Sequence, residues 1–121
     1  MKFEVDEKDG VVVISTRGKM MAGPKLDDFH DKIKGLVRIG ARRIVIDLGK
    51  TEWMDSRGLG ILISCLTTLR KADGALRLAR PTKKIKQSIV IAKLTEYFKN
   101  YKSVEDAVSS FASTSRKRSG L

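Results

Sequence analysis

The chain has 121 residues, of which 41% are hydrophobic and 32% charged, which suits one domain with one core and argues against a disordered chain. No apolar run approaches a membrane span, and Met1-Lys2-Phe3-Glu4-Val5-Asp6 lacks the basic-then-apolar layout of a signal peptide, so a cytoplasmic protein without a membrane span is expected. The formal net charge of +11, part of it from Arg116, Lys117 and Arg118, points to an anionic partner; acidic protein ranks first, anionic lipid second and nucleic acid third, because the few aromatic residues are dispersed and form no stacking platform.

Phe3 and Val5 alternate with charged residues, as in an edge strand, and Lys8-Asp9-Gly10 signals a turn. Val11, Val12, Val13, Ile14 and Ser15 follow as a β-branched second strand, so the two runs read as a hairpin. Residues 18–24 read as a loop, with Pro24 in the first turn of a helix. Leu26, Phe29, Ile33, Leu36 and Val37 recur at helical spacing, His30 reads as a surface histidine on that helix, and Gly40 stands where a left-handed C-terminal residue is expected. Residues 42–48 form a compact apolar run, predicted to be a central strand buried on both faces.

A second amphipathic helix shows Leu59, Leu62, Ile63, Leu66 and Leu69 as its stripe, with Cys65 among them as a small buried hydrophobe. Asp73-Gly74 stops it, and Ala75-Leu76-Arg77-Leu78-Ala79 is a short strand. Pro81 starts a third helix with Ile85, Ile89, Ala92 and Leu94 inward and Lys83, Lys84, Lys86 and Lys93 facing water. Residues 97–102 are extended, and Ser103 caps a last helix whose buried stripe is Val104, Ala107, Val108 and Phe111. Residues 1–112 are thus expected to form the domain, and 113–121 a basic, disordered tail. The order implies an α/β domain with a mixed β-sheet, helices packed mainly on one face, and an antiparallel hairpin at one side. A monomer needs no special assumption.

The chemistry concentrates in Trp53-Met54-Asp55-Ser56-Arg57-Gly58-Leu59-Gly60, which joins the central strand to the second helix. It is no phosphate loop, because the glycine–lysine–hydroxyl run is missing. It is only half a dinucleotide fingerprint, since Ile63 stands where the third glycine belongs. His30 is the only histidine and Cys65 the only cysteine, so neither a nucleophile–base–orienter set nor a metal cluster is predicted, and no cofactor is expected. Ser56 has a better use: a serine at a helix start can accept backbone amides as the N-cap, and a phosphate there would meet the same amides and the positive helix end. Phosphorylation would add about two negative charges at pH 7 without unfolding the domain.

Asp55-Ser56-Arg57-Gly58-Leu59-Gly60, with Ile44-Val45-Ile46-Asp47-Leu48 before it and the Leu62, Leu66, Leu69 helix after it, resembles the STAS family of anti-sigma-factor antagonists and sulfate-transporter domains. The resemblance covers nearly the whole chain. It implies a non-enzymatic partner switch in which the unphosphorylated protein binds a serine-kinase anti-sigma factor. That kinase would phosphorylate Ser56, a PP2C-type phosphatase would reverse the modification, and Asp55 matches the aspartate beside the serine. Met20, Met21, Asp55, Ser56, Arg57, Gly58 and Leu59 are the expected partner surface. Arg57 departs from the usual small hydroxyl residue, and Met21 stands near where antagonists often carry an aspartate. The competing reading is a STAS regulatory or scaffold subunit of another complex, such as a lipid-transport ATPase or a signalling assembly. Direct nucleic-acid binding is not expected.

Overall fold

Nine elements alternate along the chain of this computed structural model, which describes residues 1–119, with side chains through 112. Strands β1 (Lys2–Lys8) and β2 (Val11–Met20) form the expected hairpin, with Lys8 opposite Val11. Asp9 and Gly10 between them both have positive φ (52° and 79°), the mirror-image turn that matches the right-handed twist of the strands. Helix α1 (Pro24–Arg38) begins on its proline, and Gly40 beyond it has φ 112°, as the sequence predicts.

Strand β3 (Arg43–Met54) leads into α2 (Ser56–Lys71), and β4 (Ala75–Ala79) follows. Helix α3 (Lys83–Ile91), the short β5 (Asn100–Tyr101) and α4 (Val104–Ser119) complete the fold. The sheet order is β1-β2-β3-β4-β5, antiparallel between β1 and β2 and parallel elsewhere. Each crossover steps one strand in the same direction. Right-handed crossovers then place their helices on one face of the sheet.

That face holds the larger core. Ile44, Ile46 and Leu48 of β3 meet Leu26, Phe29 and Ile33 of α1, Leu62 and Leu69 of α2, and Ile85 and Ile89 of α3. On the other face Val11, Val13 and Val45 pack against Ala107, Val108 and Phe111 of α4. Full burial of each such side chain contributes about 1.5–3 kcal/mol before conformational entropy is counted. The predicted α/β domain with a mixed sheet is what forms, and β3 is buried on both faces because it is central.

Ile63 of α2 and Ala92 at the end of α3, both expected inward, are exposed, because they lie off the buried stripes of their helices. Four further local expectations change. The loop predicted over 18–24 begins only at Met21, because β2 stays paired with β3 to the register Met20 opposite Met54, through irregularities near Ser15 and Gly18. For the same reason β3 runs past residue 48 to Met54, with Thr51 buried and Lys50 and Glu52 exposed in strand alternation. Thr82, not Pro81, starts α3, its hydroxyl accepting the Ile85 N–H at 3.3 Å. The extended run predicted over 97–102 narrows to β5, because the N–H groups of Tyr97 and Phe98 both turn back onto the Leu94 carbonyl. Ser103 does cap α4, accepting the Asp106 N–H at 3.0 Å. The backbone of α4 is helical to Ser119; the side chains of the expected 113–121 tail, and Gly120 and Leu121 entirely, lie outside the described residues.

Candidate functional site

A single residue, Asp55, separates β3 from α2. Its backbone is extended (φ −87°, ψ −176°), so its side chain sits where an N-cap must sit. One carboxylate oxygen accepts the Gly58 N–H at 2.8 Å and the other accepts the Ala22 N–H at 3.1 Å. The Asp55 N–H donates to the Met20 carbonyl at 3.1 Å. The turn is therefore stitched both to its own helix and to the chain leaving β2. The Gly58 amide is the main reason the Asp55 carboxyl is held below its ordinary pKa; partial desolvation opposes this, and the Ala22 amide adds to it.

This corrects the expectation that Ser56 is the cap. Ser56 is already the first residue of α2, where the helical backbone carries its side chain away from the amides it would need to reach. Its side chain is exposed, and its hydroxyl has no hydrogen-bond partner among the described residues. No acidic residue occupies the first turn of α2, so the positive end of the helix is offset only by the Asp55 cap that precedes it.

Gly58 is buried because the first turn of α2 lies on the end of β2; a Cβ there would stand 2.3 Å from the Met20 carbonyl oxygen. Met20 is likewise fully buried in the larger core. Neither offers a side chain to a partner, which corrects their place in the expected surface: pairing with β3 turns Met20 inward. Met21, one residue on, points outward and is 46% exposed. Leu59 is half-buried and packs against the core. Arg57 is exposed and turned toward Asp27 of α1, at 3.8 Å. Such an exposed pair contributes little stability and leaves the guanidinium available. Met21, Asp55, Ser56, Arg57 and the edge of Leu59 are thus brought to one end of the domain.

Sequence reasoning missed Ala22 and Asp27 as supports of this end, and neither carries a local signal. It also missed a polar cluster on the opposite face of β3. Asp47, only 7% exposed at its side chain, receives two hydrogen bonds from Arg80, at 2.9 and 2.7 Å, one from the Gly49 N–H at 3.0 Å, and a longer one from Ser15 at 3.5 Å. Burial alone would raise the Asp47 pKa, but these bonds and the Arg80 charge together hold it below the ordinary value. Arg80 reaches Asp47 from a left-handed backbone (φ 53°).

His30 is half-buried on α1, its pKa lowered first by that burial and then by Lys34. Cys65 is buried, as expected. Among the described residues no group of three or more His, Cys, Asp or Glu could hold a metal, and no helix is long and apolar enough to cross a membrane.

The arrangement is a rigid, capped turn that presents a free hydroxyl beside apolar and cationic side chains, which suits docking and modification. Known proteins share the fold that carries this turn. The candidate anti-sigma factor antagonist BtrV of Bordetella bronchiseptica is 25% identical over 111 residues, covering 92% of this chain and 95% of its own length. The crystal structure of an anti-sigma factor antagonist from Mycobacterium paratuberculosis superposes with a TM-score of 0.79 at 25% identity, over 90% of this chain and 92% of that one. The Bacillus cell-fate determinant SpoIIAA, solved in its phosphorylated form, has the same fold, with a TM-score of 0.75 at 19% identity over 91% of this chain and 99% of that one. The STAS domain pattern matches residues 2–107, and the chain therefore belongs to the STAS domain family.

Proposed function

We propose that this chain is an anti-sigma factor antagonist that works as a phosphorylation-controlled partner switch in the cytoplasm. Unphosphorylated, it binds a serine-kinase anti-sigma factor through Met21, Asp55, Ser56, Arg57 and Leu59. The kinase phosphorylates Ser56, and a PP2C-type phosphatase resets it. The observation that carries this reading is the division of labour between neighbours: Asp55 caps α2, so the Ser56 hydroxyl is exposed and unengaged at the positive helix end.

Phosphate on Ser56 would leave the cap and the core untouched. It would place about two negative charges on the docking surface, and a partner packed over Met21 and Leu59 would have to desolvate them, at a cost of several kcal/mol. Arg57, held only by a 3.8 Å exposed ion pair to Asp27, is free to turn toward that phosphate. A protein of this fold has been solved in a phosphorylated form, which is consistent with such a modification being tolerated. The switch acts by binding and needs no catalytic residue of its own. Residues 1–112 would form the working domain, and the basic segment 113–119 continues the backbone of α4 beyond it.

The test is binding of the purified protein to the serine-kinase anti-sigma factor of its host, with phosphorylation followed by peptide mass spectrometry. Ser56→Ala is expected to bind as wild type and take no phosphate, and Ser56→Asp to bind at least about tenfold more weakly. Equal binding by Ser56→Asp, or phosphate on another residue, would overturn the switch and favour a constitutive STAS subunit of another complex.

A further inference from the structure

The stretch from Arg80 to Lys102 holds seven lysines and arginines and one acid, Glu96, and so more than half of the chain's excess positive charge. Helix α3 lies within it and has two distinct faces. Ile85 and Ile89 are buried against the sheet. Helical spacing puts Lys83, Lys84, Gln87, Val90 and Ile91 on the opposite side, and all of them are exposed. Val90 and Ile91 are 61% and 81% exposed, on the last turn of the helix. Tyr97 stands just beyond, 46% exposed, with the Arg70 guanidinium 5.3 Å from its ring centroid. Nothing in the core requires aliphatic side chains here.

We propose that this outward face of α3 docks on an anionic lipid surface. The lysines of its first turn meet the phosphate headgroups, and Val90 and Ile91 enter the boundary between headgroups and acyl chains. The combination decides the partner. A helix face is convex, and its cations are flexible lysines rather than the planar arginine forks that recognise defined carboxylates. A bilayer conforms to a convex face, whereas a protein partner would need a matching groove. Nucleic acid would use the charge but leave the aliphatic pair without a role. Weak apolar insertion together with a basic cluster is the pair of signals that membrane-surface docking needs, and a tyrosine at the rim suits the interface. No residue of the Asp55–Leu59 turn belongs to this face, so lipid docking and the Ser56 surface can be occupied together.

Co-sedimentation with vesicles tests this. The full chain is expected to bind vesicles of phosphatidylcholine with phosphatidylglycerol, to lose binding as salt rises, and to ignore vesicles of phosphatidylcholine alone. Val90→Ser with Ile91→Ser, and separately Lys83→Gln with Lys84→Gln and Lys86→Gln, should each lower the partition coefficient by about tenfold. All five positions are exposed, so these variants keep the fold, which circular dichroism checks. Ile91→Trp should show a blue shift in emission on phosphatidylglycerol vesicles that wild type, whose Trp53 lies elsewhere, does not. Ser56→Asp should partition as wild type, which separates this result from the fate of the switch. Absence of binding to phosphatidylglycerol vesicles, or full binding by the Val90 and Ile91 double variant, would overturn the proposal.

Discussion

Gly58 lies so close to the Met20 carbonyl that an ideal Cβ on it would stand 2.3 Å from that oxygen. The contact fixes where α2 starts relative to the end of β2, and with it the position of Ser56. Gly58→Ala must push backbone against backbone and is expected to destabilise the domain by about 2 kcal/mol. Gly60, also in α2, has nothing within 4 Å of its would-be Cβ, so Gly60→Ala should stabilise by about 0.5–1 kcal/mol through helix propensity alone. Urea denaturation of the two variants measures both signs; a Gly58→Ala midpoint at or above that of wild type would show that α2 can shift without cost.

Met20 and Met21 are neighbours with opposite roles. Met20→Ala opens a cavity in the core beside Gly58 and is expected to cost about 3 kcal/mol. Met21→Ala should change stability by less than about 0.5 kcal/mol and should instead weaken partner binding. Chemical denaturation beside a binding titration separates the two residues, and comparable stability losses would refute their assignment to core and surface.

The Asp47–Arg80 pair should make the domain acid-sensitive. The folded pKa of Asp47 is depressed, so its stabilisation is fully present above the unfolded value of about 3.9 and is lost as pH falls through the folded value. Thermal melts of wild type should therefore drop below pH ~4, with a shallower drop in Asp47→Asn. Arg80→Ala leaves a buried carboxylate without its cation and should cost about 2 kcal/mol near neutral pH, less than for a fully buried pair because Arg80 is partly solvated. Gly49→Ala should cost less, because its Cβ would stand 2.5 Å from the centre of the Arg80 guanidinium but that group ends a flexible, partly solvated side chain that can shift.

Cys65 reports global unfolding. Burial pushes its thiol up to about 12, so almost none is thiolate at neutral pH. Labelling by iodoacetamide should follow the unfolded fraction set by global stability and become fast only in denaturant. Rapid labelling of the native protein would mean that α2 opens locally.

Much of this was legible in the chain itself. The β-branched run of Val11 to Ile14, the apolar run at Ile44 to Leu48, and the helical stripes of Leu26 to Val37 and Leu59 to Leu69 fixed most elements and the α/β class. Periodicity is a local property, and each of these segments buries a large apolar face. The hexapeptide from Asp55 to Gly60 singled out the site for the same reason, since a strand-to-helix turn needs a capping side chain and small residues within a few positions.

What the sequence could not settle depended on a second segment. Whether β2 and β3 stop or continue is decided by their mutual pairing, which holds Met20 opposite Met54 and turns Met20 inward. Whether Asp55 or Ser56 caps α2 is decided by the backbone angle at which β3 delivers the chain, and by Ala22, 33 positions away. The Asp47–Arg80 pair likewise joins β3 to the residue just after β4, which only the sheet brings together. Local residue patterns determined the elements and pointed to the turn; long-range pairing alone decided which side chains at that turn face outward.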